Sequence, residues 1–135
     1  MSVLNEIAAK LAALSLGTVG TTIHIGRIPA TPDTQCAVYE YPGLPPEGGM
    51  GVTGIQFEYP SVQVVFRGAA HDYATPRASA ETAFQGLADI NPSTTLSGTV
   101  YHQVWPAGSP FVLKRDEAQR VLVAINFRVM KEPSP

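Results

Sequence analysis

Apolar and polar side chains alternate along this chain with two periods, and the switches between them mark out its elements. Behind Ser2, a residue able to cap a helix, Leu4, Ile7, Leu11 and Leu14 recur at steps of three and four, with Gly17 placed to end the run. From Thr21 to Ile28 the period drops to two: Ile23 and Ile25 share one side and Thr22 and His24 the other, until Pro29 breaks the pattern. After a turn-rich link through Pro32 and Asp33, a second strand is predicted over Cys36–Tyr41, closed by Pro42 and Gly43 and free to pair with the first.

The pivot is Ile55 to Ile90, a strand, a turn and a helix. Val62, Val64 and Phe66 alternate with Gln63, Val65 and Arg67, and Gly68 ends the run. Thr75 is then placed to cap a helix with Pro76 at its first position, running to about Ile90. Ala80, Ala83, Phe84, Leu87 and Ala88 fall on one face of it and Arg77, Glu81 and Gln85 on the other, so the apolar face has to pack on the neighbouring sheet.

Asn91-Pro92-Ser93 breaks that helix, and Thr99–Trp105 reads as a strand in which Val100 and Val104 flank His102 on one face. Phe111–Leu113 and Val121–Met130 flank Lys114, Arg115, Asp116 and Glu117, a charged segment that reads as the tip of a hairpin. Val121, Val123, Ile125, Phe127 and Val129 share one face, and the mixed second face (Leu122, Ala124, Asn126, Arg128, Met130) marks a central strand. Lys131–Pro135 reads as a polar tail. The pattern predicts a single α+β domain over residues 1–135: a mainly antiparallel or mixed sheet with two helices packed on one face.

One segment has neither period. Pro42–Gly54 is rich in Gly and Pro, and it is expected to be a long flexible loop able to order against a partner. Composition points the same way. Of 135 residues only 15% are charged, below the roughly 25% usual for soluble domains, and a low-charge surface favours partners. The formal charge of −2 and the absence of a Lys/Arg cluster argue against a dedicated nucleic-acid binder. Glu6 and Lys10 inside the first helix exclude a signal peptide, no apolar run reaches membrane-spanning length, and a soluble chain with no membrane partner is expected. Cys36, the lone cysteine, is expected to be a buried inert thiol.

Candidate chemistry is sparse. His24, His71 and His102 are scattered without zinc-site spacing, so no metal or cofactor is expected. His24 and His102 lie in strands that could bring them together across the sheet, and a small α+β enzyme or ligand-binding domain using His24 or His102 is the rival from another class. No Gly-x-Ser-x-Gly elbow is present, and Gly48-Gly49-Met50-Gly51 lacks the Lys-Ser/Thr of a phosphate loop. Tyr39, Tyr41, Phe57 and Tyr59 lack the interleaved Lys and Arg of a single-strand binder, and read as core or interface.

In order and spacing, a set of short segments resembles the tail-terminator and minor capsid proteins of long-tailed, siphovirus-type bacteriophages. The segments are Leu16 to Thr21, Ile25-Gly26-Arg27-Ile28-Pro29, Thr31-Pro32-Asp33, Val38-Tyr39-Glu40-Tyr41, Tyr59 to Val64 with Arg67-Gly68, Ser109-Pro110-Phe111, Arg115-Asp116-Glu117 and Asn126-Phe127. The likeness spans roughly residues 3 to 132. It implies a non-catalytic virion protein, assembled in the bacterial host cytoplasm into a homo-hexameric ring. The ring would cap the tail tube protein, dock on a head-tail connector or stopper protein, and let DNA pass as cargo. Another head-tail neck or completion protein is the nearest alternative. No family motif assigns the contacts, so two segments are offered from the residues themselves. The first is Pro45, Pro46, Glu47, Gly48, Gly49, Met50, Gly51 and Val52; the second is Lys114, Arg115, Asp116 and Glu117.

Overall fold

The computed structural model describes residues 2–48, 54–90 and 94–133. Its elements are α1 (Val3–Ala13), β1 (Ile23–Ile25), β2 (Gln35–Glu47), β3 (Phe57–Ala70), α2 (Ala74–Ala88), β4 (Thr94–Leu96), β5 (Thr99–Pro106), β6 (Phe111–Arg115) and β7 (Arg120–Lys131). The seven strands form one sheet in the order β1-β2-β3-β7-β5-β4, with β6 lying on β7 in line with β5. β1 runs parallel to β2 and every other pairing is antiparallel, so the sheet is mixed and the class is α+β as the pattern predicts.

Both helices lie on one face because their apolar stripes join one buried cluster. Ile7 and Leu11 of α1 pack at the β1–β2 and β4 parts of that face, and Ala80, Ala83 and Leu87 of α2 over β3, β7 and β5, in one buried cluster with Ile23, Val38, Val62, Val64, Phe66, Val121, Val123, Ile125, Phe127 and Val129. Burying each larger side chain here contributes roughly 1.5–3 kcal/mol. Ser2 caps α1, its Oγ accepting from the Asn5 amide at 3.3 Å. The helix ends before Gly17: Ser15 takes the left-handed conformation (φ 63°), and the Leu16 amide donates to the Leu11 carbonyl at 3.1 Å, satisfying an orphan acceptor.

α2 is not capped by Thr75. Asp72, upstream, accepts from the Thr75 amide at 3.1 Å, and hydrogen bonding by Thr75 holds its carboxyl below the usual range. β3 runs past Gly68 to Ala70, and β1 is only Ile23–Ile25 of the expected Thr21–Ile28. Ahead of β5 lies a short strand that the periodicity does not mark. Ser97 and Gly98, both at positive φ, make the primed turn that hairpins favour and pair β4 with β5.

A register shift between Tyr101 and Gln103 changes the parity of β5, so that Tyr101 and Val104 both face the core, in place of one face shared by Val100, His102 and Val104. Tyr101 donates from its hydroxyl to Glu6 Oε1 at 2.9 Å, which ties β5 to α1 through a buried polar contact. Lys131 is no part of a tail. It ends β7, is buried, and places Nζ 3.1 Å from Glu58 and 5.9 Å from the Tyr101 ring centre.

The second face of the sheet is covered more thinly. Val65, Leu122 and Ala124 are buried there with Ile28 and Tyr39 packed against them. Buried Arg67 donates to the carbonyls of Pro29, Pro32 and Asp33 at 2.7–2.9 Å, and so holds the loop between β1 and β2 against β3. Cys36 is buried on the helix-covered face, and desolvation pushes its thiol up to about 12.

Candidate assembly interface

The first of the two segments singled out from the sequence is mostly strand. β2 does not stop at Pro42 but continues to Glu47, opposite Phe57 and Tyr59 of β3. Two register shifts, between Tyr41 and Leu44 and between Leu44 and Glu47, absorb the prolines. The result is a two-stranded arm. Gln35–Val38 of β2 are buried, whereas every residue from Glu40 to Glu47 is exposed. Pro45, Pro46 and Glu47 therefore belong to a strand and Gly48 directly follows it, while Gly49, Met50, Gly51 and Val52 lie outside the described residues.

The arm is held by its own backbone and by its base. The Gln56 amide donates to the Glu47 carbonyl at 2.8 Å, and the Tyr59 hydroxyl donates to the Glu47 carboxylate, which raises the phenol's pKa. Phe57 stands edge-on to His102 with ring centres 5.3 Å apart. At Gly43 the strands cross too closely for any side chain, because a methyl there would run into the Tyr59 carbonyl oxygen. Pro42, Pro45 and Pro46 carry no N–H, so the outer edge of β2 is poorly suited to accepting another strand.

What the arm offers is apolar surface. Leu44 is 67% exposed and Ile55 52% exposed. Beside it opens a shallow recess of about 650 Å³ whose lining includes Tyr41, Leu44, Ile55 and Tyr59, with Glu40 and Glu58 as its charged groups. A second recess of about 320 Å³ lies between the arm and the Ala107 and Arg128 side of the sheet. Neither encloses a constellation of nucleophile and base.

The second segment divides in two. Lys114 and Arg115 are the end of β6, and the turn proper is Asp116–Gln119. Asp116 is committed to that turn. Its carboxylate accepts from the Ala118 and Arg120 amides at 3.0 and 2.9 Å and from Arg120 Nε at 2.8 Å. All five residues of β6 are exposed, including Phe111 at 39%, Val112 at 50% and Leu113 at 41%. β6 pairs with β7 alone among the described strands, and Arg77 of α2 fixes its entry by donating to the Pro110 carbonyl at 2.8 Å.

The histidines do not converge. His24 sits on edge strand β1, 2.6 Å from Gln35 Oε1, and His102 sits on β5, 3.0 Å from Glu132 Oε2. β2, β3 and β7 separate the two strands, so the two histidines do not share a site. Among the described residues no three His, Cys, Asp or Glu side chains are grouped to hold a metal ion, and no helix is long and apolar enough to cross a membrane.

The model of a family described as bacteriophage tail terminator protein matches residues 10–133. Among solved structures, a chain from the virion of a native gene transfer agent particle has the same fold. Its TM-score is 0.65 at 18% identity, and the match covers 98% of this chain and 96% of that one. The search of curated proteins finds no match.

Proposed function

The chain belongs to the bacteriophage tail terminator family, a family of tail structural proteins, and from that premise we propose that it closes the finished tail tube as a homo-hexameric ring and joins the tail to the head. In this reading its partners are other copies of itself, the tail tube protein on one side and a head-tail connector or stopper protein on the other. DNA passes through the ring without being read. The protein sits in the tail and neck of the virion after assembly in the host cytoplasm, and it needs no cofactor and performs no catalysis.

The observation that carries the reading is the arm: apolar side chains stand clear of the core on a strand pair that the fold does not otherwise use. Exposed apolar surface of this kind marks a contact with another macromolecule. Residues 45–52 are the first candidate for the tube or connector contact, and the charged segment Lys114, Arg115, Asp116 and Glu117 the second.

The test is the mass of the purified chain by light scattering over a range of concentration and salt, with negative-stain imaging, first alone and then with tail tubes. Rings in solution or at tube ends support the proposal. A chain that stays monomeric and leaves tube ends bare and growing overturns it.

A further inference from the structure

The ring proposal leaves open which surfaces of neighbouring subunits meet. A head-to-tail ring needs two different, complementary patches on each subunit, placed apart so that one copy cannot satisfy both itself. Two patches of this kind are present. The arm leaves the sheet where Glu58 of β3 stands opposite Lys131, at the last residue of β7, whereas β6 lies along the beginning of β7, with Arg115 opposite Val121. They sit on opposite flanks of β7; Glu40 of the recess is level with Phe127 through Val62 and Phe111 of β6 with Ala124, so along β7 the patches are separated by about 10 Å at their nearest at ~3.3 Å per residue.

Their chemistry is complementary. The recess beside the arm is lined by apolar and proline side chains, and its charged groups are both acidic, Glu40 and Glu58. Glu58 already pairs with Lys131 at 3.1 Å, while exposed Glu40 has no ion-pair partner among the described residues. β6 presents the converse: exposed Phe111, Val112 and Leu113 followed by exposed Lys114 and Arg115, neither of which has an ion-pair partner among the described residues. The prolines of β2 disfavour strand addition at the arm, so the contact is one of side chains fitting a recess.

We propose, resting on the ring reading, that β6 of one subunit docks into the acidic, apolar recess beside the arm of the next, with Lys114 and Arg115 facing Glu40. The partner is a second copy of this chain. Each subunit gives β6 to one neighbour and its arm to the other, which leaves the end of the arm available for the tube or connector.

Cross-linking and charge exchange test this directly. Because Cys36 is buried, Leu44→Cys and Val112→Cys chains carry one accessible thiol each. With a short bismaleimide, their mixture is expected to give linked dimers, while each variant alone gives none. By light scattering, Lys114→Glu/Arg115→Glu is expected to weaken assembly by about tenfold or more, Glu40→Arg likewise, and the combined variant to recover most of the loss. Cross-linking of Val112→Cys alone would mean that β6 pairs with itself and would overturn the proposal. A wild-type ring that persists unchanged in all charge variants overturns this contact and leaves the ring standing. No assembly of the wild type, alone or on tail tubes, removes the ring and this contact together.

Discussion

β2 and β3 are the same strand pair twice over, and their two ends behave as different proteins. At Gln35–Val38, opposite Val64–Arg67, the pair lies between the helices on one side and the loop held by Arg67 on the other. Past Tyr41 the pair keeps hydrogen bonding but loses its cover, and Leu44 and Ile55 face outward. Backbone pairing has carried the arm beyond the core that stabilises it. The buried end therefore sets whether the chain folds, and the exposed end is free to be specified by a partner.

Substitutions should separate the two ends sharply. The largest effect is expected in the core: Phe127→Ala removes a fully buried ring of β7 from the helix-covered core and should cost about 3–5 kcal/mol, read by urea denaturation. Tyr101→Phe comes next, at about 1–3 kcal/mol, because it takes a hydroxyl donor from the buried Glu6 carboxylate. At the arm, Leu44→Ala should change stability by no more than about 0.5 kcal/mol, since that side chain is mostly in water, yet reduce assembly on tail tubes. A loss of several kcal/mol at Leu44 would show that the arm is part of the core and erase the distinction. The smallest expected effect is chemical. With its pKa near 12, Cys36 should resist maleimide at pH 7–8 in the native chain and react once denatured, which a mass shift would record.

Much of the buried region was legible because its periods are clean. The β7 alternation from Val121 to Val129 and the stripe Ile7, Leu11 on α1 both face the core as the spacing predicts. The misreadings fall where a local irregularity interrupts the period. The two shifts in β2 let a strand run through Pro42, Pro45 and Pro46, which by composition alone look like a loop. The shift in β5 brought Tyr101 inward, and no pattern announces that Lys131 ends in a buried ion pair with Glu58. Of the missed features, the β4–β5 hairpin carried a usable signal in Ser97-Gly98.

The candidate interface was legible only in outline. Gly and Pro density located the arm, but which residues form its strands depends on pairing with β3, a long-range contact with no local mark. Lys114–Glu117 reads as one charged tip. Strand pairing assigns Lys114 and Arg115 to an exposed edge and the hydrogen bonds of Asp116 to the turn itself. The separation of His24 from His102 follows from strand order, which sequence spacing does not contain.

Capping of tail tubes by a ring of this chain, as proposed above, is open to direct test. The direct measurement is to add the purified chain to growing tail tubes and follow tube length and tube ends by electron microscopy. A closed ring at one end of each tube and an arrest of growth are expected, both weakened by Leu44→Ala. Tubes that keep growing with bare ends in the presence of the wild-type chain would contradict the proposal.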